Sequence, residues 1–165
     1  MENCILSGVR STAEDLKQSN YLKSFIEENI LHQSITGWEN TSYNTAYQFT
    51  TKESETWIHH DDTTWAGVIY LTPDAPIESG TSLYRHKDTG ISLWDGINDS
   101  PSDLNPSQDC NDVTKWDEIA FAGNLYNRLV VYRGSYYHRS KLAGFGIDKQ
   151  TGRLFQTFFF NTDIR

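Results

Sequence analysis

Two histidines and two aspartates stand back to back in Trp57-Ile58-His59-His60-Asp61-Asp62-Thr63-Thr64-Trp65. In an extended segment, residues i and i+2 point to one face. His59 with Asp61, or His60 with Asp62, therefore presents an imidazole and a carboxylate to a common point. One more imidazole from elsewhere would complete a two-histidine, one-carboxylate face on a metal, the arrangement that holds non-haem Fe(II) with coordination positions left open. The chain offers three further histidines, His32, His86 and His138. His32 falls in the last turn of a predicted helix, where a cation complements the helix dipole. His86 ends the short run Leu83-Tyr84-Arg85-His86 and is a candidate for the mouth of a site. His138 closes the aromatic run Tyr136-Tyr137-His138, one strand beyond the apolar stretch at 129–132.

The chain has 165 residues, the size of one ordinary domain with a real core and no need of disulfides. We expect a single domain over 1–165. Five Trp, nine Tyr and eight Phe suit β-rich packing better than a helical bundle. With 22 acids against 14 bases the formal charge is −8. That balance gives no long-range attraction for nucleic acid or anionic membranes, so neither is expected as a partner. The two cysteines, Cys4 and Cys110, are expected to be reduced thiols, and no Cys-rich metal motif is present. No apolar run approaches a membrane span, and the first residues lack the basic start and apolar core of a signal peptide. A soluble, cytoplasmic protein is the expectation. Phosphate-binding glycine motifs, a Gly-x-Ser-x-Gly elbow and His-Glu-x-x-His are all missing from the sequence.

Residues 1–10 read as a short strand or lead-in. Ser11-Thr12-Ala13-Glu14 has the spacing of a capping box, and Leu16, Leu22, Phe25, Ile26, Ile30 and Leu31 recur at helical intervals. The pattern predicts a helix over about 12–32, packed on a sheet through that stripe. Strands are predicted at 47–51, at 56–58 leading into the histidines, at 65–71, at 82–86, at 128–132 and at 153–160. Residues 113–121 suggest a short helix. Between 87 and 113 lies a long acidic loop rich in Gly, Asp, Asn, Ser and Pro, a length that is usually functional and is read here as a candidate lid. The fold class is mainly β (α+β). One N-terminal helix followed by closely spaced strands points to a barrel or sandwich of the jelly-roll kind over about 43–160.

The order of these features resembles the Fe(II)- and 2-oxoglutarate-dependent oxygenases, and within them the small prolyl-hydroxylase-like branch. The resemblance runs over about 55–160. It rests on His59-x-Asp61, then Ile69-Tyr70-Leu71, then Ser79-Gly80-Thr81-Ser82-Leu83-Tyr84, Asn127-Arg128-Leu129-Val130, His138, and Gly152-Arg153-Leu154-Phe155-Gln156-Thr157. The stretch between His138 and Arg153 is longer than the family's and reads as a lengthened hairpin connection. The resemblance implies a double-stranded β-helix (jelly-roll, cupin-like) core with the N-terminal helix packed on its sheet. It implies that His59, Asp61 and His138 are the catalytic metal ligands for Fe(II), with 2-oxoglutarate and O2 at the open positions. The far carboxylate of 2-oxoglutarate would pair with Arg153, whose planar fork suits it, helped by Thr157 on the same strand face and by the Tyr70 phenol. His60 and Asp62 fit the motif equally as a pair. The aromatic lead-in Trp57-Ile58, usual before the family's histidine, favours His59 and Asp61. Arg128, Trp65 and Trp94 are further pocket candidates.

The expected activity is hydroxylation of a small-molecule or peptide substrate, with oxidative decarboxylation of 2-oxoglutarate to succinate and CO2. Two rival expectations stand beside it. One is a non-catalytic jelly-roll binding module, since this fold hosts many functions. The other is a cupin-type metal enzyme that does not use 2-oxoglutarate.

Overall fold

A computed structural model describes residues 9–11, 16–39, 43–94 and 106–163. Among the described residues the chain is mainly β, with two antiparallel sheets and one short α-helix. Helix α1 (Leu16–Ile26) continues into a π-helical turn at Glu27–Leu31. His32 then closes it in the left-handed conformation, φ 53°. The helix is thus found where the apolar spacing placed it. Of the proposed capping box, residues 12–15 lie outside the described residues, and the Ser11 hydroxyl accepts from Tyr47 N–H at 3.0 Å. Among the described residues no helix is long and apolar enough to cross a membrane.

The strands are β1 (Val9–Arg10), β2 (Ile35–Thr36), β3 (Tyr47–Thr50), β4 (Trp65–Tyr70), β5 (Thr81–His86), β6 (Trp116–Ala122), β7 (Leu129–Arg133), β8 (His138–Ser140) and β9 (Arg153–Thr162). The larger sheet runs β1-β3-β9-β4-β7, with β2 also on β9; the smaller runs β6-β5-β8. Two readings are corrected. Residues 113–121 form a single 3-10 turn (Val113–Lys115) and then strand β6, antiparallel to β5, rather than a helix. The chain there is Trp-Asp-Glu-Ile-Ala-Phe-Ala, whose β-branched and aromatic residues gain more from an exposed edge strand than from a helix with no apolar stripe. Residues 56–58 form no strand; Ile58 is buried and its N–H donates to Cys110 O. The long loop is outside the described residues over 95–105. Beyond it, Pro106–Asp109 make a 3-10 turn.

Strand alternation sorts the core. On β9 and β4, Phe158, Phe160, Trp65 and Ile69 face one way and pack with Ile26, Ile35 and Trp38 under the helix. The Trp38 ring lies 6.0 Å from Phe158 and 5.5 Å from Phe160. The intervening residues Val68, Tyr70 and Phe155 cluster with Val130 on the other face, toward the smaller sheet. A third cluster, Ile58, Tyr84, Trp116 and Tyr137, backs the smaller sheet. A period of two therefore gives β9 a dry outer face and an inner face free to line a cavity.

Candidate metal centre and its cavity

His59 and His138 are far apart in sequence and are joined by backbone pairing. They form an isolated antiparallel bridge, His59 N–H donating to His138 O at 3.0 Å and His138 N–H to His59 O at 2.7 Å. Residues that exchange both bonds stand directly opposite each other and send their side chains to the same face. The two imidazole centroids are 4.4 Å apart. Asp61 shares that face by the two-residue period and is held by its own N–H to Gly134 O at 2.8 Å. A Cβ at Gly134 would stand 2.3 Å from Thr63 O. Glycine is what lets the β7–β8 turn close on the segment carrying Asp61. One ligand atom from each of His59, Asp61 and His138 lies within 4.8 Å of the others.

The protonation pattern suits a cation. His59 Nδ1 is 3.0 Å from Trp57 O and His138 Nδ1 is 2.7 Å from Tyr136 O. A carbonyl only accepts, so each Nδ1 carries a proton, which turns Nε2 of each ring toward the centre as the atom that can offer a lone pair. Burial, reinforced by His138, brings the His59 imidazolium down to about 4, so His59 is neutral at pH 7. For Asp61, burial pushes the carboxyl up, but His138 and then His59 outweigh it and the net direction is down. His138 Nε2 lies 3.3 Å from Asp61 Oδ2. That contact becomes a hydrogen bond only if His138 takes a second proton. With a neutral ring it sets two lone pairs against each other, leaving Asp61 Oδ2 buried without a donor. A divalent cation between them satisfies all three groups, so the residues present fit one.

A second cluster, His86, Asp88 and Asp109, also brings ligand atoms within 4.8 Å. It is already satisfied. His86 is fully buried, with Nε2 2.9 Å from Asp109 Oδ2 and Nδ1 3.0 Å from Thr89 Oγ1. Asp88 takes Lys115 Nζ at 3.2 Å. His86 is absent from the cavity wall, so its reading as a residue of the mouth is corrected.

The first cluster opens on a cavity of about 420 Å³, within the range of small-molecule sites. Arg153, Phe155, Thr157 and Phe159 of β9 line it, together with Gln48, Thr50, Tyr132, Thr81 and Arg10. Arg153 is 1 % exposed, and no described residue bonds to its guanidinium; Nε has no partner at all. It lies over the rings of Phe155 at 4.1 Å and Tyr70 at 5.8 Å. Burial lowers its pKa to about 10, with only the Tyr70 and Tyr132 phenols pulling the other way. A guanidinium buried without an anion is costly.

Tyr70 and Thr157 are placed differently from the expectation. The Tyr70 hydroxyl donates to Thr81 Oγ1 at 2.8 Å and the residue is not in the cavity wall. Thr157 is in the wall, but its hydroxyl donates to Tyr43 O and Ala46 O at 3.3 and 3.4 Å. The doublet resolves by geometry. His60 stacks on Trp94 at 4.3 Å, nearly parallel, and the Asp62 side chain is 89 % exposed. Arg128 Nη1 donates to Gly123 O at 2.9 Å, and Trp65 Nε1 to Thr162 Oγ1 at 3.1 Å; both do structural work. The lengthened connection before Arg153 ties itself together. Asp148 Oδ1 accepts from Thr151 N–H at 2.9 Å, while Gly146 O accepts from Lys52 N–H at 3.0 Å. Arg153 consequently starts β9 opposite Thr50.

Tyr132 was not singled out from the sequence. Its ring meets the edge of His138 at 4.7 Å, and burial raises its phenol well above the ordinary value. The alternation of β7, with Leu129 and Val131 in the helix-side cluster, carried that signal.

Residues 50–160 match DUF6445, described as a family of unknown function. The chain belongs to DUF6445. The matched span contains His59, Asp61, His138, Tyr132 and Arg153, whereas Arg10 precedes it. No curated protein matches the chain.

Proposed function

We propose that this member of DUF6445 is an Fe(II)- and 2-oxoglutarate-dependent oxygenase on a double-stranded β-helix core, hydroxylating a small-molecule or peptide substrate. The observation that carries the reading is Arg153, a fully buried guanidinium with no anion among the described residues, in the same cavity as the His59, Asp61 and His138 cluster. When bound, iron and 2-oxoglutarate supply the oxidising power: O2 is consumed, 2-oxoglutarate leaves as succinate and CO2, and one oxygen atom enters a C–H bond of the substrate.

The chain's own residues supply position and charge. His59 and His138 hold their Nε2 lone pairs ready because Trp57 O and Tyr136 O fix the Nδ1 protons. Asp61 supplies the single negative charge. Arg153 would take the distal carboxylate beside the apolar rings of Phe155 and Tyr70, where such a pair is strong. Thr157, its proton already given to backbone carbonyls, can accept but not donate there.

The test is a melting-temperature titration with Mn(II) as a redox-silent stand-in. Mn(II) should stabilise the protein, and 2-oxoglutarate should add about 2.7 kcal/mol at 100 times its Kd, only when Mn(II) is present. Fe(II)-dependent succinate formation should vanish in His59→Ala and Asp61→Ala. A wild-type protein that ignores 2-oxoglutarate at millimolar concentration would sink the reading.

A cupin-type metal enzyme that takes no 2-oxoglutarate is the second reading, favoured by the internal bonds of Tyr70 and Thr157. It predicts a response to Mn(II) alone. A non-catalytic module predicts a response to neither.

A further inference from the structure

Arg153 is not the only cation on the cavity wall. Arg10, on β1 opposite Gln48, also lines it. Its guanidinium lies over the Tyr43 ring at 4.6 Å, and its Nε donates to Gln48 Oε1 at 3.1 Å. Tyr43 and Gln48 line the same cavity. Stacking and the Nε bond fix the plane of the fork and leave its Nη edge without a described partner. In a chain with 22 acidic residues against 14 basic ones, no described carboxylate pairs with it.

Beyond the metal cluster, Arg153 and Arg10, the wall's other charged side chains are Glu55, Arg139 and Asp62; Arg139 lies over the Tyr84 ring at 5.9 Å with Nη2 donating to Lys141 O at 3.4 Å, whereas Asp62 is exposed and its only described partner is the His60 ring nitrogen at 3.9 Å. One cavity therefore offers a fixed, half-buried guanidinium and a solvated carboxylate beyond those that metal and co-substrate would use.

The geometry points to a second anion subsite at Arg10, with a primary substrate that is a small zwitterion of the free amino acid class. Its carboxylate pairs with Arg10 and its ammonium faces Asp62. This rests on the oxygenase reading for the statement that the bound molecule is the substrate. A planar fork held by stacking and one bond is pre-organised for bidentate carboxylate binding.

The experiment is calorimetric titration of the standard L-amino acids, and of their carboxamides, into the Mn(II)-loaded protein with and without 2-oxoglutarate. At least one acid should bind, and its amide about tenfold or more weakly, the loss expected for a charge-assisted bond. Arg10→Gln should remove that preference, and Arg10→Lys should keep part of it because charge remains while the fork is lost. Mn(II) binding by each variant reports that it is folded. Binding of no acid, equal binding of acid and amide, or an undiminished preference in Arg10→Gln overturns the inference. A protein that takes the acids but ignores 2-oxoglutarate keeps the subsite and loses the oxygenase reading. One that takes 2-oxoglutarate but none of the acids does the reverse.

Discussion

Replacing Arg153 by Met should not destabilise the protein, although Arg153 is among its most buried large side chains. Burial lowers the guanidinium from the ordinary arginine range to about 10. At 1.36 kcal/mol per tenfold change in proton affinity, that depression costs the folded state about 3 kcal/mol. The residue is 1 % exposed, so solvent screening takes nothing from the figure. Methionine keeps most of the apolar stem and removes the charge, at the expense of some unfilled volume. For a domain of this size 1 kcal/mol moves Tm by about 2–4 °C. Arg153→Met should therefore melt between the wild-type temperature and about 10 °C above it, while losing the 2-oxoglutarate response. A variant melting several degrees below wild type would show that Arg153 has a structural partner, and would refute the idea that its charge waits for a ligand.

The same penalty has a pH signature. Below about pH 10 both the folded and the unfolded chain carry the charge and the cost is complete. Above it the folded state sheds the proton first, so the cost fades as the pH rises further. Tyr70 and Tyr132 act in the opposite sense, because their raised values keep them protonated in the folded state while the unfolded chain ionises. The quantity to measure is accordingly the stability difference between Arg153→Met and wild type. It should be constant from pH 7 to 9 and shrink above about 10.

Gly134→Ala would drive a Cβ to 2.3 Å from Thr63 O, a backbone atom; it should cost about 1–3 kcal/mol by chemical denaturation and weaken Mn(II) binding, because Asp61 hangs on the Gly134 carbonyl. His86→Ala removes a buried ring bonded at both nitrogens and packed on Trp116 at 4.9 Å; a loss of about 2–4 kcal/mol with Mn(II) affinity preserved is expected, and a large loss of affinity would reassign the second cluster. Asp61→Asn should abolish the Mn(II)-induced rise in Tm, since the amide removes the single negative charge of the His59, Asp61 and His138 cluster, and an intact rise would place the metal elsewhere.

The parts of the fold that the sequence made legible are those where one face is buried and the other serves a different purpose. Strands β4, β5, β7 and β9 and the helix fall where the apolar periodicity places them, because burying one face is what formed the pattern. Strand β6 was misread. Its residues from Glu118 to Phe121 are exposed on an edge, so no burial pattern marks them. The relation between His59 and His138 rests on a single bridge between segments far apart in the chain, and nothing local in either segment encodes it. Tyr70 was placed correctly on its strand, but which partner its hydroxyl finds depends on Thr81 across the gap between sheets. That distance is set by packing, which periodicity does not report.

The groups left unsatisfied are informative as a set. Five described side-chain atoms are buried without partners, His60 Nδ1, Asp61 Oδ2, Asn124 Oδ1, Arg139 Nε and Arg153 Nε, and Asp61, Arg139 and Arg153 among them line the same cavity. Each costs stability in the isolated chain, yet their signs are complementary to one kind of content. The Asp61 acceptor and the Nε2 atoms of His59 and His138 suit a cation, and the Arg153 guanidinium in the same wall suits an anion. A metal ion chelated by a dicarboxylate answers both demands with one assembly. A bare metal ion answers only the first, and a bare anion only the second. The dependence of 2-oxoglutarate binding on Mn(II) is therefore the sharpest division among the readings of this site. If the two ligands bind independently, the unsatisfied groups are two separate features that happen to share a wall.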